Sequence, residues 1–133
     1  MIEAVSLSTP RMIPSRDIAD DEWVTQYGRG EDGGFGTFRN SPRYPRESEI
    51  SMIWGRIGVD EAAMIVTGRA RSPLCRVRQC LAGDLRRRGF KVVHTPTPRN
   101  PMHVSVYLPG TDGQWDNDEA DRFDEAFVRG GES

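Results

Sequence analysis

The stretch Phe90-Lys91-Val92-Val93-His94, then Thr95-Pro96-Thr97-Pro98-Arg99-Asn100-Pro101-Met102, then His103-Val104-Ser105-Val106-Tyr107-Leu108 decides the fold. Both outer segments alternate in polarity with a period of two, as half-buried strands do. The Pro-rich link Thr95–Met102 is too short for a parallel crossover, so an antiparallel hairpin is expected. Phe90, Val92 and His94 share one face of the first strand, and His103, Ser105 and Tyr107 share one face of the second. Eight linking residues place His94 opposite His103, close enough for their side chains to interact. Two imidazoles, the Ser105 hydroxyl, the Tyr107 phenol and the loop cation Arg99 then converge.

Upstream, Ser72–Gly89 admits two readings. Leu74, Val77, Leu81 and Leu85 repeat with helical spacing after a Ser72-Pro73 start. The alternative is a strand with Cys75 and Val77 inward and Arg76 and Arg78 outward, followed by a helix over 82–88. Gly89 ends the helix in both. Glu49–Trp54 alternates as a strand, and Asp60 is expected to cap a short helix that ends near Gly68. Further back, Ser15 is expected to cap a helix over Arg16–Tyr27, with Ala19, Trp23 and Tyr27 as its stripe. A loop rich in Gly and Pro over 28–45 follows, anchored by Phe35 and Phe38. Downstream, Asp116 or Asn117 caps a last helix with Ala120, Phe123 and Phe127 on its apolar side.

The expected architecture is an α+β fold: a small mixed sheet with a C-terminal antiparallel hairpin, covered by short helices. Its strands lie near 50–54, 75–79, 90–94 and 103–108. Residues 1–14 are expected to be a loose N-terminal segment and 15–130 a single domain, an ordinary length for one core in a chain of 133 residues.

The charge map is polarised. Nine of the eighteen cations lie between Arg69 and Arg99, where the only acid is Asp84. Net charge is nevertheless −2, because acids crowd the flanks. Arginine supplies every cation but Lys91, a skew that fits a GC-rich bacterial genome as well as a phosphate-binding surface. The run Arg86-Arg87-Arg88 also suits the negative end of a helix dipole, and the acids from Asp112 to Glu125 offer these arginines an internal partner. No run of apolar residues is long enough to span a bilayer, and the N-terminus lacks the pattern of a signal peptide. With two cysteines, Cys75 and Cys80, a reducing bacterial cytoplasm is the expected location.

Two motifs fail on context. Gly28, Gly30 and Gly33 satisfy GxGxxG, but the preceding segment reads as a helix, and Glu31 and Asp32 repel a pyrophosphate. Cys75, Cys80, His94 and His103 match zinc in number only, since the His spacing is too long and the thiols turn apart. No cofactor and no metal is expected.

The segments Leu81-Ala82-Gly83-Asp84-Leu85-Arg86-Arg87-Arg88-Gly89 and Asn100-Pro101-Met102-His103 carry a resemblance. Over roughly half its length the chain resembles a family of small, standalone, uncharacterised bacterial proteins with an Asn-Pro-x-His motif. The resemblance implies strand and then short helix over 74–88, and marks Asn100, Pro101 and His103. It has no counterpart of His94 and implies no activity.

The leading functional expectation is a small bacterial binding or accessory module. It would contact a protein or an anionic ligand through the Pro-rich loop and His103, with Arg99 and Asn100 beside it. One alternative is a metal-independent, RNase-like phosphodiesterase or phosphoryl-handling enzyme. There His103 and His94 exchange protons, Ser105 assists and Arg99 holds phosphate. Another is a nucleic-acid binder using Arg76, Arg78, Arg86, Arg87 and Arg88.

Overall fold

The structure, a computed structural model of the chain, describes residues 14–28, 49–70, 75–110 and 115–127. The expected anchors Phe35 and Phe38, Gly30 and Gly33 of the glycine motif, the Ser72-Pro73 helix start and residues 1–13 lie outside the described residues. In chain order the strands are β1 (Trp23–Gly28), β2 (Glu49–Trp54), β3 (Arg76–Leu81), β4 (Lys91–His94) and β5 (His103–Tyr107). The helices are α1 (Val59–Thr67), α2 (Ala82–Arg87) and α3 (Asn117–Glu125).

The α+β class and the hairpin stand. Among the described residues, the strands form one sheet in the order β3-β1-β2-β5-β4. Every pairing is antiparallel, so the sheet is not mixed, and β1 adds a fifth strand to the four expected. One face carries the main core. Val24, Met52, Trp54, Cys80, Val92, Val104 and Val106 pack there against Leu85, Phe90, Trp115, Phe123 and Phe127 from α2, α3 and their flanks. The other face is covered over β1 and β3 by α1, through Ala62 and neighbours on Ile53 and Val77.

The helix expected over Arg16–Tyr27 is not formed. Residues from Trp23 on make β1, a central strand paired on both sides. The β-branched and aromatic run Trp23-Val24-Thr25 fits a pleated surface, and ladder bonds to two neighbours outweigh an i, i+4 spacing. Both faces being covered there, polar Thr25 and Gln26 are buried with Val24. Thr25 Oγ1 donates to the Gly55 carbonyl at 2.7 Å and accepts from Ile57 N–H at 3.0 Å. The preceding residues form a strap. Asp20 and Glu22 carbonyls accept the Gly83 and Ala82 N–H groups, each at 2.9 Å, and Glu22 Oε2 accepts from Trp54 Nε1 at 2.7 Å.

The Ser72–Gly89 ambiguity ends as strand β3 and then helix α2. Arg78, expected to point outward, is buried. Its register opposite Gln26 turns it to the core face, and Val77 turns to the α1 side. Asp60 sits in the first turn of α1, whose N-cap is Gly58, and Gly68 closes α1 in the left-handed region at φ 73°. At α3, Asp116 is the cap and forms a reciprocal capping box with Glu119.

Gly83 has a steric role. A Cβ there meets Asp20 Cβ at 2.8 Å and the Asp20 carbonyl oxygen at 3.0 Å. Gly83→Ala is therefore expected to push the strap off α2, at a cost of about 1–3 kcal/mol, read as a lower urea midpoint with an unchanged m-value. An unchanged midpoint would show that the strap yields freely.

Candidate functional site

The hairpin pairs with a register one residue away from the expected one. Val92 faces Val106 and His94 faces Val104, so His94 stands on the core face. His103 faces Ile53 on its other side and belongs, with Ser105 and Tyr107, to the opposite face. A one-residue change of register moves a strand's whole side-chain set across the sheet, and here it separates the two histidines. The expected His94–His103 pair is not formed. The signal that finds this register is the alternation Val104, Val106, Leu108 along β5 and the residue after it: these residues and Val92 must share the core, which draws His94 in and sends His103 out.

Turns in the link set the same register. Thr97 and Asn100 exchange backbone bonds at 3.0 and 3.1 Å, His103 N–H donates to the Asn100 carbonyl at 3.0 Å, and Asn100 Oδ1 accepts from Met102 N–H at 3.1 Å. Thr95 is thereby left in the ladder, its N–H donating to the His103 carbonyl at 2.9 Å. Asn100 shapes this loop with both carbonyl groups, while Arg99 is exposed at its tip.

The two imidazoles have different surroundings. His94 is 4 % exposed. Its Nδ1 accepts the Arg16 backbone N–H at 2.9 Å, so the proton sits on Nε2 and is donated to the Pro101 carbonyl at 2.7 Å. The ring meets Trp54 edge-on at 4.9 Å, and the Arg16 guanidinium lies over the same indole at 4.8 Å. His94 is a clamp between strap, sheet and loop. His103 is half-buried. Its Nδ1 lies 3.1 Å from the Thr95 carbonyl, which only accepts, so Nδ1 carries a proton, and in the neutral ring Nε2 holds the lone pair. Thr95 Oγ1 lies 2.8 Å from that Nδ1 and 2.6 Å from Ser105 Oγ, linking the three side chains. Among the described residues nothing engages His103 Nε2.

Around His103, among the described residues, β4 and β5 carry no helix on this face. Three rows cross β2, β5 and β4: Glu49–Tyr107–Lys91, Ser51–Ser105–Val93, and Ile53–His103–Thr95. Glu49, Ser51 and Lys91 are exposed, Val93 is 41 % and Tyr107 37 % exposed, and only Ile53 and Ser105 are buried. Among the described residues α1 packs over β1, β3 and Ile53 of β2, and no helix is packed over β4 and β5 on this face.

The arginines of the cationic middle are mostly engaged inside the fold. Arg78 donates from Nε to Gln26 Oε1 at 2.7 Å and from Nη2 to Asp124 Oδ1 at 2.9 Å, and lies 4.0 Å over the Phe127 ring. Arg86 bonds Asp20 and the Val92 carbonyl, Arg87 bonds Asp84, and Arg88 bonds the Asp84 carbonyl. Arg76 is half-buried. Arg86 thus reaches the hairpin, whereas Arg78 is held at Asp124 on α3.

Cys75 and Cys80 belong to the β3 edge, and Cys75 Sγ lies 2.7 Å from Tyr27 Oη, whereas His94 is on β4 at the far edge. These four residues cannot gather around one ion. Burial pushes the Cys80 thiol far above its ordinary range, which keeps it protonated. Among the described residues, no helix is long and apolar enough to cross a membrane. Comparison with protein-family models, curated proteins and solved structures finds no match to the chain.

Proposed function

We propose that the protein is a binding module whose contact surface is the open half of the sheet, with the Pro-rich loop as its rim and a protein as its partner. One observation carries this reading: Val93 and Tyr107, 41 % and 37 % exposed, flank Ser105 on the face that carries His103, where among the described residues α1 packs over β1, β3 and Ile53 of β2 but not over β4 and β5. Exposed aromatic and aliphatic side chains rimmed by polar groups mark contact sites. A protein is favoured over an anionic ligand because Arg78, Arg86 and Arg87 already hold Asp124, Asp20 and Asp84. The nucleic-acid reading is weakened by the same pairs.

Photo-cross-linking tests it. A photoreactive residue replacing Val93 is expected to give an adduct of defined mass in cells, which Tyr107→Glu abolishes. The same residue replacing Val66, 37 % exposed on α1, is the control and is expected to give none. Equal labelling from both positions, or none from either, would contradict the proposed surface.

The phosphodiesterase reading keeps one supporting observation, the Nε2 of His103, which nothing among the described residues engages. It has lost the second imidazole and the buried Ser105 as a nearby open hydroxyl. The binding reading expects His103→Ala to fold, with a loss of about 1 kcal/mol for one bond to the Thr95 carbonyl. A measurable RNA-cleaving activity that disappears in this variant would favour the enzyme instead.

A further inference from the structure

We infer that a second copy of this chain occupies the open face, an assignment that rests on the binding reading above and names its partner. The row Glu49–Tyr107–Lys91 is complementary in charge to its own image. An exposed acid on β2 and an exposed base on β4 stand on either side of an exposed tyrosine on β5. A two-fold contact is self-complementary: each patch meets its own image. Sheets stacked face to face lie about 10 Å apart with nearly aligned strands. A two-fold axis running along β5, midway between two such sheets, lays β2 of one copy over β4 of the other. Glu49 then faces Lys91 of the second copy, and Lys91 faces its Glu49, giving two equivalent ion pairs. The same operation sets Tyr107 on Tyr107 and exposed Val93 over Ser51, so the apolar side chains are covered without burying a lone charge.

The competing mode, strand addition at the β4 edge, is opposed by the structure. Arg86 Nη2 donates to the Val92 carbonyl at 2.9 Å, which occupies an edge acceptor that an added strand needs. A patch three strands wide is smaller than the roughly 800 Å² each partner buries in a standard interface. The association is therefore weak and reversible.

Sedimentation of the full chain across micromolar to millimolar concentrations tests the assignment. The chain is expected to pass from monomer to dimer within that range. Glu49→Lys alone and Lys91→Glu alone each set like charges face to face and are expected to weaken association at least about tenfold. An equal mixture of the two single variants is expected to regain the dimer, as is the double variant carrying both reversals. Both positions are exposed, so thermal melts of all four proteins are expected to coincide. A chain monomeric throughout, or a dimer indifferent to each single reversal, would overturn the assignment. A monomeric chain that still gives a cross-link from position 93 to a different protein overturns the second copy alone and leaves the binding surface standing. Absence of any position-93 adduct ends both.

Discussion

His94→Ala is expected to lower the unfolding free energy by about 3–4 kcal/mol, combining a cavity with two stranded polar groups. The ring is 4 % exposed and stands edge-on to Trp54 at 4.9 Å. Its removal leaves the Arg16 N–H and the Pro101 carbonyl without the nitrogens they now bond. A domain of this size has about 5–15 kcal/mol in total, so the variant folds but unfolds at much lower urea. Because one ring joins the strap to the loop, amide exchange at Arg16 and at Met102 should accelerate together. A variant with wild-type stability would mean that the clamp is not formed.

Arg78→Ala is expected to cost about 3 kcal/mol, the lower end for breaking a buried pair, because Asp124 keeps part of its hydration. The guanidinium is sandwiched where β3 meets α3: Gln26 and Asp124 accept its protons, and Phe127 and Phe123 receive its face at 4.0 and 5.5 Å. Its loss removes both the fork and the packing of its stem. Arg78→Met should recover part of the packing, and Arg78→Lys little, since an ammonium does not reproduce the planar fork. Urea unfolding ranks the three. Lys equal to wild type would show that charge alone matters there.

How far the sequence could be read follows from these residues. The antiparallel hairpin, the strand at Glu49–Trp54, the capped helix at Asp116 and the stripe Ala120, Phe123, Phe127 were legible, because period and capping chemistry are local. The hairpin's register was legible too, in Val92 against Val104 and Val106. Loop length alone points one residue astray, because it does not show that Thr95 stays in the ladder. β1 was hidden because Ala19, Trp23 and Tyr27 happen to recur every four residues, and only the two strands beside it decide otherwise. The buried role of Arg78 was hidden for a related reason: its partners, Gln26 and Asp124, lie about fifty residues away on either side. The same holds for the open patch. Its rows combine β2, β4 and β5, so no single stretch displays Glu49, Tyr107 and Lys91 together.

The hairpin divides the two histidines, using His94 to hold the fold and leaving His103 on the opposite face of the sheet. The most direct measurement is NMR of the imidazoles: long-range nitrogen–proton correlation for the tautomers, with ring-proton NOEs for the neighbours. The expected result is the Nε2–H form for His94 with NOEs to the Trp54 indole, the Nδ1–H form for His103 with NOEs to Thr95, and none between the two rings. A direct NOE between the His94 and His103 rings would contradict it.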